Sequence, residues 1–88
     1  MPPRKSDTPI PKIVTALATV LRDARQAANL TQGKLAERAG ISMRYVALLE
    51  KGEYQPSITV LHGVATALDM PLSELIRRAE EVLEADKD

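Results

Sequence analysis

The sequence contains no cysteine, no tryptophan and no phenylalanine, and it has one histidine, His62. Without cysteine, disulfides, thiolate nucleophiles and cysteine-ligated zinc are excluded. A lone histidine excludes a histidine-based metal cluster built by this chain alone, so no metal and no cofactor are expected. The aromatic residues are Tyr45 and Tyr54 only, which requires an aliphatic core and disfavours the base-stacking platforms of single-strand binders. No apolar run reaches the roughly 18 residues of a membrane span, and no charged-then-apolar signal opens the chain. A membrane partner is not expected, and a cytoplasmic setting is. A glycine-rich, phosphate-cradling loop is also missing, which leaves ATP-driven chemistry without support. His62 reads as a solvated helix residue, and Glu74, Glu80, Glu81 and Glu84 as the wet face of a helix. No catalytic constellation emerges, and an enzyme is not expected.

What is present is a chain of 88 residues, 44% hydrophobic and 27% charged, ordinary values for one small globular domain. The net charge of zero hides an asymmetry. Residues 1–52 carry nine Lys/Arg and four Asp/Glu, a balance of +5, whereas residues 53–88 carry three and eight, a balance of −5. A polyanion would be drawn to the first part and repelled by the second.

Residues 1–11 hold four of the six prolines together with Arg4 and Lys5, and read as an extended basic arm. Residues 12–84 read as the folded domain and residues 85–88 as a frayed tail. Ile13, Leu17, Val20, Ala24 and Ala27 recur at helical spacing, with Val14, Leu21 and Ala28 widening the stripe; a first helix is predicted over about 11–28, stopped at Asn29. Thr31 is a candidate N-cap for a second helix over 32–38, which Gly40 ends. Ser42 caps a third helix running to Lys51, where Gly52 stops it. Ser57 caps a fourth over 58–68, and Pro71 opens a fifth from a first-turn position. Leu72, Leu75, Ile76, Ala79, Val82 and Leu83 form the apolar stripe of that fifth helix. No segment alternates with a period of two, so the fold class predicted is all-α, five helices joined by short loops.

Residues 32–49 meet the local demands of two short helices crossing at a tight turn. Ala36 supplies a small residue at the crossing, and Gly40 follows four residues later with access to positive φ. Ile41 plugs the space between the helices, and Val46 and Leu49 return apolar groups to the same core. The run LTQGKLAERAGISMRYVALLEKGEYQPSITVLHGVATALDMPLSEL resembles the phage-repressor-like (Cro and lambda-repressor type) helix–turn–helix domains of the XRE family, over about residues 17–78. The TQ before LA, the E-K-G after the third helix, the P-S before the fourth and A-L-D-x-P-L-S-E-L carry the likeness. It implies a five-helix, lambda-repressor-like domain that binds double-stranded DNA as a transcription regulator, usually as a homodimer.

The resemblance also implies residue roles. The third helix, 42–51, would enter the major groove with Ser42, Met43 and Arg44 at base edges and Ala47 and Leu48 further along that side. Arg44 is the best base reader, since its fork can bond guanine O6 and N7 together. Met43 and Leu48 would be limited to apolar contact such as thymine methyls; the family more often has a polar residue at the Leu48 position, and inward packing of Leu48 is the competing reading. Gln32 matches a position that touches phosphate and buttresses recognition, beside the helix-terminal amides of Thr31 and Gln32. Lys51, Tyr54, Gln55 and Ser57, around the loop after the third helix, would hold the DNA backbone. Tyr45 would reach a sugar or phosphate, or else pack against the second helix. Arg25 would pair with Glu50 as a structural ion pair, with a solvated Arg25 as the bland alternative.

A single module reads few base pairs, and two of them on symmetric half-sites about 34 Å apart would need an interface. Leu72, Ile76, Ala79, Val82 and Leu83 on the fifth helix are the candidate; the alternative is that this extension folds back on the first helix. The function expected is a DNA-binding regulator, most readily a repressor. Three variants differ in partner: a controller of restriction–modification genes, an antitoxin with a cognate toxin, and an adaptor that keeps the fold without DNA affinity.

Overall fold

The computed structural model describes residues 10–86, and five α-helices account for most of them. They are α1 (Lys12–Ala27), α2 (Gln32–Ala39), α3 (Met43–Lys51), α4 (Ile58–Ala67) and α5 (Leu72–Ala85), with no strand among the described residues. This is the all-α, five-helix arrangement that the sequence pattern predicts. Of the arm expected over 1–11, only Ile10 and Pro11 are among the described residues; Arg4 and Lys5 lie outside them, as do Lys87 and Asp88 of the expected tail.

Short polar side chains start three of the helices. The Thr31 hydroxyl accepts from the Lys34 amide at 3.0 Å, Ser42 from Tyr45 at 3.0 Å and Ser57 from Val60 at 3.1 Å, each satisfying an amide that the first turn leaves free. α1 and α5 start differently. Pro11 and Pro71 are their N-cap residues, with φ of −58° and −69° and no side-chain cap. Pro71 therefore stands just before the first turn rather than inside it, and Ser42 likewise precedes α3, which begins at Met43.

Helix ends are set by left-handed residues. Gly40 (φ 73°) and Gly52 (φ 76°) end α2 and α3; Asn29 (φ 60°) and Asp69 (φ 62°) end α1 and α4. Asn29 donates its amide to Gln26 and Leu30 donates to Arg25, and Asp69 and Met70 repeat the pattern on Thr66 and Ala65. These paired bonds satisfy the last carbonyls of each helix. Asp69 was not marked as a stop by its sequence context, although a short polar side chain tolerates the left-handed region. A Cβ at Gly52 would reach ordinary van der Waals contact with α1, 3.4 Å from Cβ of Ala18 and 3.5 Å from Cα of Thr15, so its positive φ is what favours glycine there.

The core is aliphatic throughout. Leu21, Leu35, Val46, Val64 and Leu75 are its largest enclosed side chains, one from each helix. α1 packs along α5, and the α2–α3 pair closes over them with α4. Ala36, Val46 and Leu49 are buried at the α2–α3 crossing and Ile41 is half-buried against the same cluster. Ala27 and Ala28, expected on the buried stripe of α1, are exposed because α1 ends there and the chain turns away. Ile58, the first residue of α4, is 72% exposed.

Candidate nucleic-acid interface

The turn between α2 and α3 turns one face of α3 outward. Met43 and Arg44 are exposed in its first turn, Ala47 and Leu48 are half-buried on the next, and Lys51 is exposed at its end. Beside α3 lies a shallow open groove of about 520 Å³, lined by α1 (Arg22, Arg25), α2 (Gln32) and α3 (Arg44, Ala47, Leu48, Glu50, Lys51). Leu48 thus faces this groove and is not part of the core cluster.

The inner wall is a hydrogen-bonded trio. Arg25 Nε donates to Glu50 Oε2 at 2.6 Å and its second terminal nitrogen to Oε1 at 3.0 Å, a bidentate fork. The remaining nitrogen donates to the Leu30 carbonyl at 2.8 Å, so every guanidinium nitrogen is engaged. Side-chain exposure is 12% for Arg25 and 6% for Glu50, which makes this a largely desolvated pair rather than a surface contact. The Glu50 hydrogen bond raises the Arg25 pKa above its already high ordinary value; burial opposes the shift and the carboxylate charge adds to it. Arg25 is therefore a fixed structural cation, not a solvated one. Gln32 completes the trio, its Nε2 donating to Glu50 Oε1 at 3.1 Å. That bond leaves Gln32 one amide proton and its carbonyl oxygen.

The outer wall is cationic and uncommitted. Among the described residues, Arg22, Arg44 and Lys51 form no hydrogen bond or ion pair through their side chains. By contrast Lys34 pairs with Glu37, and Arg77 and Arg78 with Glu74, on exposed helix faces. Sequence reasoning misses Arg22, whose only signal is a basic residue three before Arg25 on α1.

The other expected contact residues are not part of this groove's lining. Thr31 and Ser42 are exposed, each hydroxyl oxygen already accepting a cap bond, as Ser57 does at α4. Tyr45 is half-buried and meets Tyr54 edge to face, ring centres 5.3 Å apart and planes at 81°. Burial raises the Tyr45 phenol pKa above its usual value, and the Tyr54 hydroxyl adds to the shift. Tyr54 remains exposed. Gln55 is exposed beside Tyr54 and, with Pro11, Ile13, Pro56, Leu61 and Ile76, also lines a separate apolar notch of about 210 Å³.

On α5, Ala79 is fully enclosed in the core of its own chain and offers no surface to a partner, which corrects its place in the expected interface. Ala79 belongs to the buried cluster, whereas its neighbours on the stripe pack against that cluster while staying partly exposed. Leu72, Ile76, Val82 and Leu83 are half-buried. Val82 lies between two surface grooves, one with Lys12, Thr15, Leu83 and Asp86, the other with Asp23, Arg78 and Glu81. Among the described residues no group of three His, Cys, Asp or Glu could hold a metal ion, and no helix is long and apolar enough to cross a membrane.

The helix–turn–helix family HTH_3 matches residues 21–75, from the middle of α1 into α5. The chain belongs to this family. It is the XRE type of helix–turn–helix, a family of DNA-binding transcriptional regulators and not of enzymes. The immunity repressor protein of Bacillus phage phi105 is 38% identical over 63 residues, which are 72% of this chain and 42% of the repressor. The restriction–modification controller protein C.AhdI from Aeromonas hydrophila is 34% identical, with a TM-score of 0.69 over 70% of this chain and 94% of that one. The clp gene regulator ClgR from Corynebacterium glutamicum is 30% identical, with a TM-score of 0.78 over 88% and 84%. The matched region lies inside the 17–78 span on which the sequence resemblance rests.

Proposed function

We propose that this regulator is a sequence-specific repressor that binds a palindromic operator as a homodimer, α3 lying in the major groove. One observation carries the reading: Arg44 stands exposed and unpaired on the outward face of α3, while the neighbouring Arg25 is locked to Glu50 and cannot compete for the base. A free guanidinium at the start of a groove-facing helix is suited to bidentate contact with guanine. Met43 and Leu48 supply apolar contact to thymine methyls beside it. Ser42 and Ala47 sit close to the base edges. Thr31, Gln32, Tyr45, Lys51, Tyr54, Gln55 and Ser57 hold sugar and phosphate. The folded unit over 12–84 is the DNA-binding domain, and Leu72, Ile76, Val82 and Leu83 form the edge of α5 that meets a second copy.

Repression is supported by the likeness to the phage immunity repressor, and a role in controlling restriction–modification genes by the likeness to C.AhdI. Both readings share the same operator chemistry. Selection of sheared genomic DNA by the purified protein at two salt concentrations, followed by sequencing, tests it. Recovery of one palindrome at the higher salt is the expected result, its half-site spacing reporting the dimer geometry. Recovery of nothing, or of all sequences at low salt only, overturns sequence-specific binding and points to an adaptor or a protein partner.

A further inference from the structure

We propose that Arg22 on α1 is a DNA-backbone anchor: it holds one phosphate at the rim of the α3 groove and so brings the first helix into the interface. The inference rests on the DNA-binding reading above and adds a residue to it. Arg22 is exposed and lines the same groove as Arg44 and Lys51. Nothing on its own helix can neutralise it. Residues three and four positions away are Ala18, Thr19, Arg25 and Gln26, none of them acidic. Its neighbour Asp23 belongs to a different surface, the groove shared with Arg78, Glu81 and Val82. The carboxylate facing the Arg22 groove is Glu50, and both of its oxygens are bound by Arg25, with Gln32 on one of them as well. Glu50 is thereby compensated, and the field at the groove rim is left to Arg22, Arg44 and Lys51.

The division of labour follows from chain geometry. Arg22 and Arg25 are three residues apart on α1, so they project on neighbouring lines of one helix face. Arg25 turns inward to the Glu50 carboxylate. Arg22 stays outside, one helical turn nearer the start of α1, with all five N–H donors free among the described residues. A planar, permanently charged fork beside a groove-facing helix fits a phosphate that flanks the bases α3 reads. Such a contact positions the protein and carries no base information.

The test is a salt titration of a duplex bearing the selected operator, read by fluorescence anisotropy with wild type, Arg22→Gln and Arg22→Lys. Each phosphate neutralised contributes about 0.9 to the slope of log K against log salt. Per protomer, Arg22→Gln is expected to lower the slope by about that much, to weaken binding several-fold near 0.1 M salt, and to leave the ranking of operator point variants unchanged. Arg22→Lys keeps the charge and the wild-type slope. Unchanged slope and affinity in Arg22→Gln, a lysine variant as shallow as the glutamine one, or a changed base ranking would each overturn the proposal. Far-ultraviolet circular dichroism confirms that the exposed substitution leaves the fold intact. Failure of the wild-type protein to bind any duplex would instead sink the DNA-binding reading itself.

Discussion

Arg25 and Glu50, distant in sequence and on different helices, form a two-pronged ion pair at 2.6 and 3.0 Å that ties α1 to α3. With α2 supplying Gln32 to the same carboxylate, three helices are indexed to one another at a single point. The arrangement lets a short helix, nine residues in all, present its outer face in a fixed orientation.

Removing one partner should reveal how much the pair is worth. Arg25→Ala leaves the Glu50 carboxylate largely buried without its main counter-charge and is expected to cost about 3–5 kcal/mol in urea unfolding. Arg25→Met combined with Glu50→Leu should recover most of that loss, because an apolar pair of similar volume needs no desolvation. A loss below about 1 kcal/mol in Arg25→Ala would show that Gln32 and solvent suffice for the carboxylate.

The two left-handed glycines should tolerate a side chain about equally. Both positions have φ above 70°, so alanine at either is strained by roughly 1–2 kcal/mol. A Cβ at Gly40 meets nothing within 4 Å, and at Gly52 it reaches only ordinary van der Waals contact with Ala18 and Thr15 of α1, so backbone strain decides both. Gly40→Ala and Gly52→Ala are therefore expected to lower the melting temperature by similar amounts. A much larger drop in Gly52→Ala would show that contact with α1 adds a steric cost.

Arg44→Ala is expected to relax base preference at one position in each half-site and to weaken operator binding by about 1–3 kcal/mol. Binding to a panel of operator variants separates the alternatives. A uniform loss across all sequences would make Arg44 a phosphate contact.

Val82→Glu with Leu83→Glu places charge on the half-buried edge of α5 and should give folded monomers in sedimentation, since charges of like sign would face each other across a two-fold axis. Circular dichroism reports the fold of the same sample. A folded variant that still sediments as a dimer would place the interface elsewhere.

Tyr45 should titrate late. Its phenol pKa lies above the ordinary value of 10.0, chiefly through burial. The unfolded chain then releases this proton first, so the contribution to stability is complete below about pH 10 and is lost as pH rises through the folded pKa. Phenolate absorbance of wild type and Tyr45→Phe isolates the component. If the component lost in the variant titrated at or below the ordinary value, the packing of Tyr45 against Tyr54 would be wrong.

The sequence by itself determined the five helices, the capping by Thr31, Ser42 and Ser57 and the left-handed glycines at 40 and 52. It also determined the aliphatic core, because periodicity, caps and turns are local properties that a linear string carries. The α2–α3 unit was legible for the same reason: its demands fall within 18 consecutive residues. The tertiary structure decided which side chains remain available. Gln32 and Glu50 are 18 residues apart, and only packing brings them into contact at 3.1 Å. Ala79 reads as part of an interface stripe until the core of its own chain encloses it, and nothing in the linear string marks Arg22 until packing sets it along one groove with Arg44 and Lys51. A helical pattern reports which face is apolar; the neighbour that covers that face, or leaves a cation uncompensated, is settled by long-range packing.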